Sequence, residues 1–331
     1  MSGPGDAMMP PVTLALEPYD RTRPLLDGRV ALPDVVPVVV GSGPRHERML
    51  LEQAYDAAEL SMSSYILARA CGVPLDAIPV FPRRLFSPSC VYVRRGIAGP
   101  SELRGGTIGV YSLQFTMSVV ARGDLHHHLG VPMDAVTWVR AGREIVPHAS
   151  RLPVEDRPGA DLWALLAGGR LDAVISPDVP AAFEDGRVAR LYPAFEAVER
   201  DLYATTRVYP IMHVVAISRA AVKRRPSLPR ELYEAFAQAK ALAWQALRQP
   251  HATGLVWGRA ALEAQERLLG DAFPYDLGDA NRRSLAMLMR YQVEQGFLDR
   301  PQDLDALFVP VEPARASDAP GPGSPGTSKG E

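Results

Sequence analysis

Short apolar segments that end in polar residues and lead into helices recur along this chain, and this arrangement constrains its fold more than any other feature. The pattern predicts a strand over residues 12–16, which stops before Asp20-Arg21-Thr22-Arg23. A second predicted strand, residues 57–60, ends in a polar run that contains Ser63 and Ser64 and opens a helix. In open α/β sheets, ligands bind where the strands end. The sequence therefore predicts an α/β fold whose polar strand ends face a ligand.

The polar residues after these strands suit an anionic ligand. Arg21 and Arg23 offer planar guanidinium groups, which match the geometry of a carboxylate. Serines at a helix start leave hydroxyl and backbone N–H groups able to meet the same kind of ligand. The two arginines and the two serines also have a plainer interpretation, because arginines are common in solvated turns and serines commonly cap helices. The sequence alone leaves the two interpretations open.

Composition excludes several classes of protein. With 331 residues and 47% hydrophobic content, the chain can bury a large core and form two domains of ordinary size. A net charge of -2, without a basic stripe, argues against nucleic acid as a partner. No apolar segment approaches the ~20 residues of a membrane span, and residues 1–6 do not resemble a secretory signal, so we expect a cytoplasmic protein without membrane contact. The oligomeric state is left open, with a homo-oligomer among the alternatives.

Two candidate crossings divide the chain into lobes. A glycine turn follows residue 100, and an apolar run that begins near residue 208 predicts the return crossing. One lobe is therefore predicted to contain residues 11–100 together with 209–312, and the other residues 101–208. Residues 1–10 and 313–331 are predicted to be disordered, because their composition offers little apolar surface to bury.

Several motifs occur in a fixed order, and with them the chain resembles the 4,5-dihydroxyphthalate decarboxylase family. The resemblance covers roughly residues 12 to 310. The motifs are Asp20-Arg21-Thr22-Arg23 with Leu26-Asp27-Gly28, Glu59-Leu60-Ser61-Met62-Ser63-Ser64-Tyr65, Ile78-Pro79-Val80-Phe81-Pro82, Gln114 with Thr116, Arg122-Gly123, Ile175-Ser176-Pro177, Pro210-Ile211-Met212-His213 and Glu294-Gln295-Gly296-Phe297. The resemblance implies a two-lobed fold like that of type 2 periplasmic binding proteins, a ligand cleft between the lobes, and loss of CO2 from a hydroxylated aromatic, phthalate-like acid.

Two places depart from the pattern that this resemblance implies. Ser87-Pro88 stands where an Arg-His pair is expected, and Asp178 stands where a basic residue is common. Both lie near the expected cleft. They leave the fold unaffected and concern the choice of substrate, so a relative that acts on another aromatic or cyclic acid is an open alternative.

Removal of a carboxylate from an electron-rich ring requires a proton at the ring carbon that bears it, and cations that hold the carboxylate. We predict that His213 donates the proton, although a lone histidine in an apolar strand is often a buried structural residue. Asp20 or Glu59 would accept a hydrogen bond from a ring hydroxyl. Arg21, Arg23 and Arg84 would clamp the carboxylate. The remaining predicted lining residues are polar: Ser63, Ser64, Gln114, Thr116 and Ser176.

No metal or organic cofactor is expected, because the sequence contains no clear metal-ligand set, phosphate loop or pyridoxal-lysine site; its two cysteines, Cys71 and Cys90, have no metal-ligand spacing. The expected partner is a small aromatic carboxylate substrate. Two alternatives to a decarboxylase remain: a solute-binding protein that only holds a small carboxylate, and another lyase or dehydratase on the same fold, of the menaquinone type that works on chorismate-like acids.

Overall fold

The computed structural model describes residues 10–249, 251 and 253–311. The two predicted disordered segments therefore lie outside the described residues, apart from the exposed Pro10. The strands are β1 Val12–Leu16, β2 Val35–Val39, β3 Ala57–Ser61, β4 Leu75–Ile78, β5 Val91–Arg94, β6 Thr107–Val110, β7 Thr137–Arg140, β8 Val154–Asp156, β9 Ala173–Ile175, β10 Val188–Arg190 and β11 His213–Ser218.

The helices lie between these strands and after the last of them. They are α1 Arg23–Leu26, α2 Ser42–Glu47, α3 Met62–Ala70, α4 Thr116–His127, α5 Leu162–Ala167, α6 Ala181–Glu184, α7 Phe195–Thr206, α8 Arg219–Arg224, α9 Leu228–Leu247, α10 Gly258–Leu269 and α11 Asp279–Glu294. None of the helices within the described ranges is long and apolar enough to cross a lipid bilayer.

The first sheet combines parallel strands with one antiparallel strand, β11. Its order is β2-β1-β3-β11-β4. Strand β1 runs parallel to β2 and β3, whereas β11 runs antiparallel to β3 and β4. The register pairs His213 with Ser61, so the start of β11 lies beside the end of β3. The antiparallel direction therefore brings the first residue of β11 to the edge where the parallel strands end.

The second sheet contains six strands in the order β10-β5-β9-β6-β7-β8. Strands β6 to β9 run parallel to their neighbours within this group, and β5 runs antiparallel to β9 and β10. The predicted lobe boundary near residue 100 is wrong on this point, because β5 belongs to the second sheet. The chain passes from one sheet to the other within residues 79–90, a segment with three prolines that cannot donate ladder hydrogen bonds. Which residues belong to each lobe stays a prediction.

The two crossing segments lie side by side between the sheets. Arg84 and Ile211 form an antiparallel bridge. The backbone N–H groups of Met212 and His213 both donate to the carbonyl of Arg83, at 2.9 and 3.2 Å. One apolar cluster continues across this junction, with Leu60 and Val214 from the first sheet and residues of β5, β6, β7 and β9 from the second. The two sheets therefore share a core.

The sequence predicted the long C-terminal helices well. The spacing of apolar residues predicts helices over residues 229–247, 258–269 and 279–295, and α9, α10 and α11 confirm these predictions within one residue at each end. Their apolar residues recur at helical spacing, and in α9 this stripe is buried. The sequence pattern gave no prediction for α7, which buries only Leu202 along its length.

Helix α11 packs against α4 at a position where only glycine fits, so we expect Gly123→Ala to destabilise the protein by roughly 1–3 kcal/mol. A Cβ at Gly123 would overlap the ring of Tyr291, which is fully buried. Urea unfolding measures the change. Gly43→Ala is the matched control, because it adds the same methyl group to helix α2 in open space and should be neutral or slightly stabilising. Equal stability of the two variants would contradict the expectation.

Candidate active site

A cavity of about 750 Å³ opens where the strand ends of the two sheets face each other. The first sheet and its loops contribute a polar wall that includes Glu17, Tyr19, Ser42, His46, Arg83 and His213. The second sheet and the segments that follow its strands contribute a wall with aromatic and short polar side chains, Tyr111, Phe115, Trp163, Ser176 and Asp178 among them. A volume of this size suits a small-molecule ligand.

His213 and Glu59 form a buried pair at the polar wall. Glu59 is fully buried in β3, and its Oε1 lies 2.5 Å from His213 Nδ1. The two residues are diagonal neighbours on one face of the antiparallel β3–β11 pair, since His213 is opposite Ser61. The contact to Glu59 orients the imidazole and leaves the other ring nitrogen, Nε2, without a hydrogen-bond partner among the described residues. Because His213 lines the cavity, that nitrogen is available for a proton transfer.

Opposing effects set the ionisation of this pair. Burial raises the pKa of Glu59, but the hydrogen bond and charge of His213, together with Arg45, outweigh it and lower the pKa to about 2. Burial lowers the pKa of His213, and the Glu59 carboxylate opposes that effect only in part. The carboxylate is therefore ionised at neutral pH, and it stabilises any proton that His213 takes up.

A second carboxylate, Glu17, lies beside this pair. The hydroxyl of Tyr19, which carries a single proton, lies 2.6 Å from Glu17 Oε2 and 2.8 Å from Glu59 Oε1. Ser42 Oγ donates to Glu17 Oε1. The buried guanidinium of Arg45 reaches both carboxylates, at 3.4 Å for Glu17 and 3.7 Å for Glu59. Burial raises the pKa of Glu17, but the hydrogen bonds from Ser42 and Tyr19 lower it overall.

Arg83 supplies the one guanidinium among the described residues that line the cavity. Its side chain is 21% exposed, and Nη1 lies 3.9 Å from Glu17 Oε2, too far for a normal hydrogen bond. Its backbone carbonyl accepts from His213 N, so the cation and the imidazole belong to adjacent, hydrogen-bonded segments. The guanidinium therefore remains able to bind an anionic group of a ligand close to His213.

His46 also lines the cavity, and unlike His213 it has no hydrogen-bond partner in the described part of the chain. It is 2% exposed, and neither of its ring nitrogens forms a hydrogen bond with any residue that the structure describes. Its ring packs edge-on against His213 and Phe115, with centroid distances of 5.1 and 6.0 Å. Burial, followed by the positive charges of His213, Arg45 and Arg83, holds the pKa of His46 well below its usual value.

Three of the predicted site residues line the cavity: His213, Thr116 and Ser176. Glu59 contacts His213 but is not among the lining residues. The hydroxyl of Thr116 donates to the Met212 carbonyl at 2.9 Å and lies 2.9 Å from Ser61 Oγ, so it mainly ties α4 to the first sheet. The hydroxyl of Ser176 accepts from the backbone N–H of Asp178 at 3.1 Å.

The structure does not bring Asp20, Arg21 or Arg23 to the cavity. Arg21 Nε donates to the Pro82 carbonyl at 2.5 Å, and its guanidinium lies between the rings of Tyr19 and Phe273. Asp20 is exposed and pairs with Arg21 at 2.8 Å. Arg23 is exposed as the first residue of α1. The turn after β1 therefore directs these three side chains away from the ligand space, and the sequence-based choice of them as site residues does not agree with the geometry.

The other predicted lining residues are buried and hold the scaffold together. Arg84 donates to the Tyr209 carbonyl at 2.9 Å and to the Asn281 side chain. Gln114 Nε2 donates to Glu144 at 2.8 Å. The Ser63 hydroxyl accepts from Gln292, and the Ser64 hydroxyl donates to Ser61 Oγ. None of these four residues is among those that line the cavity.

The two departures from the family pattern fall in different places. Ser87 is buried, and its hydroxyl donates to Asp124 Oδ2 at 2.6 Å, away from the cavity lining. Asp178 does line the cavity, on the wall contributed by the second sheet. A change in substrate recognition is therefore expected from Asp178 rather than from Ser87.

Sequence reasoning missed Glu17, Tyr19, Ser42 and His46. A signal existed for Glu17 and Tyr19, because they directly follow the predicted strand over residues 12–16. Nothing in the local pattern distinguishes Ser42 or His46 from residues of an ordinary exposed helix start. The described residues contain no group of three or more histidine, cysteine, aspartate or glutamate side chains placed to hold a metal ion.

The fold is that of periplasmic solute-binding proteins. The chain is similar to the periplasmic aliphatic sulphonate binding protein SsuA from Escherichia coli, with a TM-score of 0.57 and 14% identity over 97% of this chain and 98% of that structure. This likeness, together with two mixed sheets, confirms the predicted two-lobed α/β fold class.

Two relatives share much more of the sequence. A 4,5-dihydroxyphthalate decarboxylase from Comamonas testosteroni is 36% identical over 280 residues, which cover 79% of this chain and 85% of the relative. A protein of the same name from Pseudomonas putida is 37% identical over 208 residues, 58% of this chain and 81% of the relative. No family model matches the chain. The chain belongs to the 4,5-dihydroxyphthalate decarboxylase family, which confirms the resemblance seen in its motifs.

Proposed function

We propose that this protein is a carboxy-lyase that removes CO2 from a hydroxylated aromatic, phthalate-like carboxylic acid without an organic cofactor. The observation that carries the proposal is the Glu59–His213 pair on the wall of a cavity that also contains Arg83. Family membership supports the reaction class, since both relatives are named as decarboxylases of a dihydroxylated aromatic diacid. The proposed partner is thus a small aromatic carboxylate, and the cytoplasmic location expected from the sequence is part of the same proposal.

The proposed chemistry begins with protonation of the ring carbon that bears the carboxylate. His213 Nε2 donates this proton, while electrons from a ring hydroxyl move into the ring as the hydroxyl becomes a carbonyl and loses its own proton to solvent. The C–C bond to the carboxylate then breaks, and its electron pair restores the aromatic ring as CO2 leaves. The carbonyl oxygen becomes a phenolate and takes a proton from solvent. One proton is consumed for each CO2 released.

Two charged residues, Glu59 and Arg83, favour this reaction. The Glu59 carboxylate stabilises the imidazolium form of His213, which is the form that can donate. A substrate carboxylate bound at Arg83 brings a further negative charge near His213 and opposes the effect of burial on its pKa. Substrate binding would therefore help to place the proton on the residue that donates it.

The direct test is to incubate the purified protein with 4,5-dihydroxyphthalate and related hydroxylated benzoic acids, and to follow CO2 by mass spectrometry. We expect CO2 release and the appearance of the acid with one carboxylate fewer. Binding without CO2 release from any of these acids would contradict the proposal and favour the alternative of a solute-binding protein. A product that retains every carboxylate would favour a dehydratase or another lyase.

We expect Arg83→Met to weaken the binding of 4,5-dihydroxyphthalate by roughly 1.5–3 kcal/mol, or about 10- to 150-fold, because a charge-assisted hydrogen bond to the carboxylate is lost. Calorimetry measures the affinity. Arg23→Met is the matched control, since it removes the same charge from an exposed position outside the cavity lining. A larger loss of affinity in Arg23→Met than in Arg83→Met would contradict this assignment and favour the turn after β1 as the carboxylate site.

A further inference from the structure

We propose that His46 binds the ring hydroxyl of the substrate and so selects hydroxylated acids over their parent acids. This assignment rests on the proposed function, which leaves open the group that forms a hydrogen bond with the ring hydroxyl. The sequence-based choices for that role were Asp20 and Glu59. Asp20 lies outside the cavity lining, and Glu59 is fully buried behind His213.

The first observation is that His46 is buried with both ring nitrogens unpaired. It is 2% exposed and lines the cavity, and within the described ranges neither nitrogen has a hydrogen-bond partner. A buried polar group without a partner destabilises the protein, because it has lost its hydrogen bonds to water and gained none in return. A neutral imidazole needs one acceptor and one donor, and a hydroxyl can act as either. A ligand hydroxyl in the cavity therefore satisfies His46 in a way that no neighbouring side chain does.

The second observation is the charge environment, which differs between the two histidines. His213 has a carboxylate partner in Glu59, whereas the charges that act on the pKa of His46 are positive: His213 when protonated, Arg45 and Arg83. Two imidazolium rings 5.1 Å apart would repel each other. The two histidines therefore have different roles: His213 carries the proton, and His46 is a neutral hydrogen-bonding group.

The third observation is the spacing. The rings of His46 and His213 are nearly perpendicular, with an interplanar angle of 86° and centroids 5.1 Å apart. The carbon that loses CO2 and the hydroxyl that supplies electrons lie at different positions of one aromatic ring, so a single side chain cannot serve both. Two imidazoles at this separation can contact two positions of the same ring, so that one donates the proton to carbon and the other forms a hydrogen bond with the hydroxyl.

Other polar side chains that line the cavity already form hydrogen bonds within the protein. Glu17 accepts from Ser42 and lies within hydrogen-bond distance of the Tyr19 hydroxyl. The Thr116 hydroxyl donates to the Met212 carbonyl and the Ser61 hydroxyl lies 2.9 Å from it. His46 thus has more unused hydrogen-bonding capacity than these neighbours on the same wall.

The test is calorimetric binding of 4,5-dihydroxyphthalate and phthalate, two acids that differ only in their hydroxyls, to the wild type and to His46→Phe. Phenylalanine keeps the ring against Phe115 and His213 but removes both nitrogens. We expect the affinity for 4,5-dihydroxyphthalate to fall by about tenfold or more, while that for phthalate changes by less than about twofold. His46→Gln, which keeps a donor and an acceptor, should recover part of the difference and serves as the second variant if His46→Phe does not fold.

The control variant is His128→Phe, which makes the same exchange at an exposed helix end outside the cavity lining. It should leave both affinities unchanged. Equal weakening of both acids by His46→Phe, or no weakening of either, would overturn the assignment while leaving the proposed function intact. Failure of the wild type to bind either acid would overturn the proposed function and the assignment together.

Discussion

Replacing His213 by glutamine is expected to lower the rate of CO2 release from bound substrate by roughly 10²-fold or more. Glutamine keeps a similar length and can hydrogen-bond to Glu59, but it cannot donate a proton to carbon. The variant should therefore fold and bind substrate, because the contact that connects β11 to β3 at this point is preserved. The loss should appear in the single-turnover rate and only weakly in the affinity.

The melting temperature and the single-turnover rate should be measured on the same preparation of His213→Gln. A buried structural histidine would make the opposite prediction, in which the melting temperature falls and the folded fraction keeps its rate. His128→Gln provides the control for a general effect of the exchange, since His128 is exposed and lies outside the cavity lining. A stable His213→Gln variant with near-normal turnover would remove His213 from the mechanism.

The largest effect on stability is expected from Glu59→Leu, which should lower the free energy of unfolding by roughly 3–5 kcal/mol. The carboxylate is fully buried and contacts His213, Tyr19, Arg45 and the backbone N–H of Glu17. Leucine leaves the buried Arg45 with one carboxylate instead of two and leaves His213 Nδ1 unpaired. Urea unfolding measures the loss, and Glu52→Leu, at an exposed position, should change stability by less than about 0.5 kcal/mol.

The same carboxylate makes a definite contribution to the pH dependence of stability. The folded state lowers the pKa of Glu59 from 4.5 to about 2, so its stabilisation is fully present above pH 4.5 and is lost as the pH falls towards about 2. Glu59→Gln removes the ionisable carboxyl group, and with it this pH-dependent contribution to the free energy of unfolding. The difference in unfolding free energy between wild type and Glu59→Gln should therefore shrink as the pH is lowered through this window. A constant difference would contradict a depressed pKa.

Most of the fold follows from the sequence because its signals are local. Strand β1, strand β3 and the helices α9 to α11 are defined by the spacing of apolar residues within a few turns, and they form where the pattern predicts them. The boundary between the sheets was harder to predict. A short strand such as β5 pairs with strands far away in the chain, β9 and β10, and nothing within the strand specifies those partners.

The candidate site depends on two kinds of information that a single sequence lacks. One is which way a side chain points: Arg83 and Arg84 are neighbours in an extended segment, so they face opposite sides, and only Arg83 reaches the cavity. The other is distance along the chain. Glu59 and His213 are 154 residues apart, so their contact depends on the register between β3 and β11. The choice of both as catalytic residues remains a prediction, although their contact supports it.

The apolar core that runs through both sheets also determines how the protein loses its structure. Each sheet has an apolar cluster of its own, but Leu60 and Val214 of the first sheet also pack in one cluster with Val110 and Trp138 of the second. The helices α4 and α11 add a buried polar link, in which Arg122 donates to Gln295 at 2.8 Å. The described part of the chain should consequently behave as one cooperative unit, so that a defect in either sheet weakens both walls of the cavity at once.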